Sequence, residues 1–183
     1  MAYNDRMETA PAASARPGRR GPLVTAGVVL GLGLMGFLDG ILFHQVLQWH
    51  HMLSTVDDPA IANDMALNTF WDGLFHMATY ALTVAGLFLL WRAWRRPDVP
   101  RSGHTLVGAL LVGAGAFNLV EGLVNHHLLG IHRVHPGAAA PLVWDLAYLA
   151  LGLLLAAAGW MVLRGAAAAG DARARAGHGR AAR

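Results

Sequence analysis

Residues 23–47 read LVTAGVVLGLGLMGFLDGILFHQVL. A helix needs about 20 apolar residues to cross ~30 Å of hydrocarbon, and this run is long enough. Its only ionisable groups, Asp39 and His44, lie toward its C-terminal end. Three similar runs come after it, at Leu67–Leu90, Thr105–Leu129 and Leu142–Leu163. A soluble helical bundle would need polar outer faces, and these runs lack them. The pattern predicts an all-α integral membrane four-helix bundle. Composition agrees. Of 183 residues, 55% are hydrophobic and 14% charged, against about 25% charged in an ordinary soluble domain. A disordered chain and a coiled coil are excluded. With no cysteine, so are disulfide scaffolds, Cys-ligated zinc and iron–sulfur centres.

All 14 basic residues are arginine, and their placement predicts topology. Arg6, Arg16, Arg19 and Arg20 precede the first span, and Arg92, Arg95, Arg96 and Arg101 separate the second from the third. Arg164, Arg173, Arg175, Arg180 and Arg183 lie beyond the fourth. The loop 50–66 has no arginine and carries Asp57, Asp58 and Asp64, while the loop 130–141 has only Arg133. The positive-inside rule then places both termini in the cytoplasm. The basic pI of about 10.2 becomes a topology signal and requires no nucleic acid. Trp49, Trp71 and Trp144 fall at the outer span ends and Trp91, Trp94 and Trp160 at the inner ends, as in an aromatic belt. The expected organisation is a disordered cytoplasmic segment 1–21, a membrane domain 22–164 and a disordered basic tail 165–183. The first run exceeds a signal-peptide core in length and has no cleavage site after it, so it reads as an anchor. The lipid bilayer is the expected partner, with the arginine-rich ends against anionic lipid.

The chain repeats itself. At an offset of 82 residues, Asp39-Gly40 falls on Glu121-Gly122, His44 on His126, Leu47 on Leu129 and His50 on His132. At an offset of 73, Trp71-Asp72 falls on Trp144-Asp145 and Phe75 on Tyr148. The expected fold is therefore a duplicated helical hairpin, a parallel repeat about an axis along the membrane normal.

Four carboxylates lie inside the spans: Asp39, Asp72, Glu121 and Asp145. A charge near a helix centre costs ~2.5–3.5 kcal/mol on insertion scales, so four of them require partners. At 1.5 Å per residue, Asp39, Glu121 and His76 sit ~6–7 Å below the outer boundary and Asp145 ~3 Å. Eight of the ten histidines share that side: His44, His50, His51, His76, His126, His127, His132 and His135. Imidazole and carboxylate without thiolate suit iron, manganese, zinc or copper. Di-metal sites in helical bundles use such groups projecting from facing helices. The candidate ligands are Asp39, His44, Asp72, His76, Glu121 and His126. Asp145, His50, His51, His127, His132, Asn118 and Asn125 are expected in a supporting layer or lid. Asp72 and His76 share a face, continued by Thr69, Thr79 and Thr83, while Asn118, Glu121 and Asn125 share another. Met52, Met65 and Met77 are nearby thioethers, more often gap-fillers than ligands. Gly27, Gly31, Gly36 and Gly40 have the small-residue spacing that lets helices pack closely.

One spacing resists. Asp39 to His44 and Glu121 to His126 are each five apart, ~140° around an α-helix. A π-bulge beside Gly40 and Gly122 would reduce this to about 50°. Otherwise the acids point inward and the histidines toward the rim.

The stretches Asp39-Gly40-Ile41-Leu42-Phe43-His44-Gln45, Trp71-Asp72-Gly73-Leu74-Phe75-His76 and Glu121-Gly122-Leu123-Val124-Asn125-His126-His127 resemble a bacterial domain-of-unknown-function family of predicted four-helix membrane proteins. The resemblance covers about residues 22–163. It implies a bacterial inner-membrane location, and it favours copper handling beside respiratory-oxidase assembly proteins. It carries no activity. From the residues, the leading expectation is a membrane metalloprotein with a His/carboxylate site near the periplasmic face, holding copper, iron or zinc. Oxidoreductase or hydrolytic chemistry is expected if it is an enzyme. The alternatives are a non-enzymatic copper carrier or respiratory-oxidase assembly factor, a bis-His haem protein, and a carboxylate–His proton relay. The relay would have to cross the whole membrane, and this layer stops in its outer third.

Overall fold

The computed structural model describes residues 19–181. The segment before residue 19, expected to be disordered, lies outside the described residues. Helix α1 (Gly21–Asp39) runs on into a π-helical segment, π1 (Gly40–Val46). A short helix α2 (Pro59–Ala62) precedes α3 (Met65–Trp94). Helix α4 (Gly103–Glu121) continues into π2 (Gly122–Leu128), and α5 (Pro141–Ala181) completes the order. Four long apolar helices are thus present, as expected. No strand occurs among the described residues.

Local chemistry sets the boundaries. Pro22 and Pro59 sit in the first turns of α1 and α2, where a missing N–H costs nothing. Asp64 caps α3 by accepting from the Leu67 N–H at 3.0 Å, and Ser102 caps α4 through the Thr105 N–H at 3.2 Å. The fourth helix does not stop at Arg164. Where the composition suggested a disordered tail from residue 165, α5 continues to Ala181. The tail is mostly alanine and arginine, both strong helix formers, and they outweigh its scattered glycines.

Helix α1 packs on α3 and on α4, and α4 packs on α5. The two helices that end in π segments therefore form the middle of the bundle. In their spans 44% and 39% of residues are buried, against 11% and 17% in the flanking pair. Glycine permits the close approach. A Cβ on Gly31 would strike the Leu110 carbonyl, and one on Gly113 the Val28 carbonyl. Gly36 meets Thr79 of α3, and Gly115 meets Gly152 and Ala156 of α5. Large apolar side chains such as Phe70, Met77, Leu87 and Leu154 point outward, while Asp39, His44, Asp72, Asn118, Glu121 and Asp145 are buried. This inversion of the soluble pattern is expected where hydrocarbon is the solvent.

Candidate metal centre

The site begins where the α-helical ladder changes register. After Asp39 and after Glu121 the backbone widens, and at its end the Leu47 N–H bonds the Leu42 carbonyl and the Leu129 N–H the Val124 carbonyl. Each is an i→i−5 bond, which defines π geometry. The widening turns each acid and the histidine five residues later toward the same side. His126 Nε2 lies 2.8 Å from Glu121 Oε2, and His44 Nε2 lies 3.8 Å from Asp39 Oδ2. A left-handed residue then bends the chain over the mouth of the bundle: Gln48 (φ 49°) and Gly130 (φ 61°). They bring His50 and His132 over the two helix ends.

Hydrogen bonds orient the rings. His44 Nδ1 donates to Asp72 Oδ1 at 2.8 Å, a helix away. His50 Nδ1 donates to the Val134 carbonyl at 2.8 Å, and His132 Nδ1 to the Met52 carbonyl at 3.2 Å. A carbonyl or carboxylate only accepts, so each Nδ1 carries the hydrogen. In the neutral ring Nε2 is then a lone pair. The Nε2 atoms of His44 and His50 are buried without a hydrogen-bond partner, as is His126 Nδ1. Burial, with the neighbouring His132 and His44 rings, pushes the His50 imidazole down to about 2, so it is neutral. Donor atoms of His44, His50 and His132 lie within 4.8 Å of one another, and so do those of Glu121, His126 and His132. All five side chains are at most 5% exposed.

His132 is the telling residue. Its Nδ1 must donate, yet its Nε2 stands 2.8 Å from Glu121 Oε1. Two lone pairs at that distance repel. The contact requires a proton or a cation between the two atoms. Burying polar groups without partners is costly, and several here converge on one region. Rings fixed through Nδ1, with Nε2 aimed inward, match the way metal-binding histidines are held from behind.

The chain belongs to the family described as "Predicted membrane protein (DUF2243)". Its family model matches residues 26–166, which take in most of each apolar helix and the whole His/carboxylate layer. Comparison with curated proteins and with solved structures gave no match. The DUF2243 chain is accordingly a multi-pass membrane protein, and the family assigns it no activity.

The remaining candidates of the DUF2243 chain fall into clear places. Asp72 does not face the convergent donors: it also accepts from His51 Nδ1 at 2.6 Å and from the Met52 N–H at 2.9 Å. Asp39 accepts from the Tyr148 hydroxyl at 2.9 Å. Asp145 is occupied by Arg133 at 2.8 Å and the Val134 N–H at 3.0 Å, with His126 Nδ1 3.9 Å away. Asn125 donates to Glu121 Oε1 at 3.1 Å. His76 bonds its own helix, Nδ1 to the Asp72 carbonyl at 2.8 Å. His127 is exposed, and Asn118 is fully buried below the layer with both amide atoms unpartnered. His50 and His132, expected as a lid, stand among the convergent donors. Tyr148 is a site residue that sequence reasoning missed. Its only sequence signal is its place opposite Phe75 in the offset comparison.

Contacts recur in pairs 82 residues apart. Met52 and Val134 donate their N–H groups to Asp72 and Asp145. The same two residues lend carbonyls to His132 and His50, crosswise. His51 and Arg133 occupy equivalent positions against Asp72 and Asp145.

Proposed function

We propose that this chain is a membrane metalloprotein whose His/carboxylate layer binds transition metal through donors among His44, His50, His126, His132 and Glu121. The observation that carries the reading is the pair of buried, unpartnered Nε2 atoms on His44 and His50, whose Nδ1 atoms are tied outward, beside the convergent donors of Glu121, His126 and His132. Imidazole and carboxylate donors suit iron, copper or zinc. A bound ion of this kind supplies Lewis-acid or one-electron chemistry. The chain's own residues hold the donors, fix their tautomers and exclude water. We read the centre as facing the periplasm of a bacterial inner membrane, with cytoplasmic termini, on the arginine distribution. The paired contacts support reading the chain as a duplicated hairpin.

A resident ion is favoured over a copper carrier. The donors are buried, whereas a carrier needs an exchangeable site. Met65 and Met77 face outward at 59% and 67% exposure, so soft thioether help from them is absent. Haem is disfavoured because His50 and His132 stack at 4.7 Å with an interplanar angle of 10°. Rings packed face to face leave no slot for a porphyrin between them.

The test is metal content and visible spectrum of the full chain purified in mild detergent. Copper, iron or zinc should survive a chelator wash in the wild type and in His127→Gln. Metal content should fall in His50→Gln and in Glu121→Gln. A Soret band, or a metal-free wild type that melts at the same temperature with and without added metal, would overturn the reading.

A further inference from the structure

How many ions the centre takes is a separate question, and its answer rests on the metal reading. The four imidazoles form a folded chain of neighbours, with His44–His132 at 5.9 Å and His50–His126 at 6.2 Å. Successive ring centroids are 4.6 Å apart for His44–His50, 4.7 Å for His50–His132 and 4.9 Å for His132–His126. Each end of the series meets one carboxylate, Asp39 beside His44 and Glu121 beside His126. The two convergent donor groups both include His132. That ring has one nitrogen to offer, since Nδ1 is spent on the Met52 carbonyl, and one lone pair binds one ion. Its Nε2 lies 2.8 Å from Glu121 Oε1, which assigns it to Glu121 and His126. His44 and His50, both with unpartnered Nε2 atoms, are left with Asp39, which lies outside the convergent groups but has Oδ2 3.8 Å from His44 Nε2.

A second ion would also supply the charge that the layer lacks. Arg133 is committed to Asp145 and His51 to Asp72. Among the described residues no arginine pairs with Asp39 or Glu121. Tyr148 offers Asp39 a hydrogen bond and no charge. With a single ion at one end, the other carboxyl would lie buried beside lone pairs and would have to keep its proton to be neutral within a membrane.

We infer that the centre is dinuclear, with one cation held by Asp39, His44 and His50 and a second by Glu121, His126 and His132. Each triad takes an acid from the start of a π segment, a histidine from within it and a histidine from the loop that crosses the mouth. Tyr148 is the element that makes them unequal, because its counterpart Phe75 has no hydroxyl to offer Glu121.

The experiment uses the full chain in detergent, stripped by chelator and reloaded with Co²⁺ alone. Cobalt per chain is counted by mass spectrometry after desalting, with gel filtration and circular dichroism to verify folding. Two ions per chain are expected in the wild type, one in Asp39→Asn, one in Glu121→Gln and none in the double variant. Tyr148→Phe removes a single oxygen and should keep two ions while weakening one of them about 10- to 100-fold, giving a two-phase titration. One ion per wild-type chain overturns the dinuclear inference and leaves the metal reading standing. None overturns both. Loss of both ions in either single variant, or an unchanged titration in Tyr148→Phe together with a full count in Asp39→Asn, overturns the two-triad assignment.

Discussion

Asp72 acts through a neighbour. It holds His44 by Nδ1 and also accepts from His51 and the Met52 N–H, so it fixes a ring and a loop at once. Its carboxylate favours the Nδ1–H tautomer and raises the basicity of Nε2. Asp72→Asn should therefore weaken metal binding by about 10- to 100-fold, read by competition against a chelator of known affinity. His76 provides the contrast. It lies one turn beyond Asp72, and the spacing alone makes the two look like a ligand pair. In the fold its Nδ1 is bonded to its own helix, so His76→Ala should retain the metal. Loss of metal in that variant would return His76 to the ligand set. The sequence marks these residues by type and depth. It cannot tell a ligand from its supporter, because that depends on where each ring nitrogen finds an acceptor.

At the scale of elements, the two π segments decide the geometry. With ideal α-helix from Gly21 through Leu47, His44 would sit ~140° from Asp39. The extra residue per turn swings it back. Gly40 and Gly122 stand where the widening begins, and each meets a packed side chain: a Cβ would lie 2.7 Å from His76 Nε2 or 2.8 Å from Leu149 Cδ2. The spacing of five poses the choice between a widened helix and diverging side chains, and only the fold decides it. The turns beyond the π segments are not legible in this way. Gln48 adopts a left-handed conformation at φ 49°, and Gly130, 82 residues on, does the same at φ 61°. A left-handed residue other than glycine costs roughly 1–2 kcal/mol. Gln48→Gly should raise stability by up to about 1 kcal/mol, after the entropy cost of glycine in the unfolded chain. Gly130→Val should lower it by about 1–2 kcal/mol. Thermal melts of the metal-loaded protein in one detergent would show opposite shifts; the same sign for both would contradict this account.

At the scale of the whole molecule, the absence of cysteine makes the orientation directly measurable. Single cysteines placed on exposed residues of a cysteine-free chain label without background. With cytoplasmic termini, Ala60→Cys should react with a membrane-impermeant maleimide in intact cells, and Pro97→Cys only after lysis. The reverse pattern would invert the topology and put the metal layer on the cytoplasmic side. The sequence by itself determined the four spans and the gathering of acids and histidines at one end. Bilayer thickness dictates the length of a span, and the cost of buried charge restricts where ionisable groups can lie, so both are written in the order of residues. It also showed the 82-residue offset. Only the tertiary structure decided which histidines converge. His50 and His132 lie beyond the helices, where periodicity carries no information, and their rings are aimed by carbonyls 84 and 80 residues distant in the chain. The direction of a side chain set by so remote a partner is a property of packing, and no local pattern encodes it.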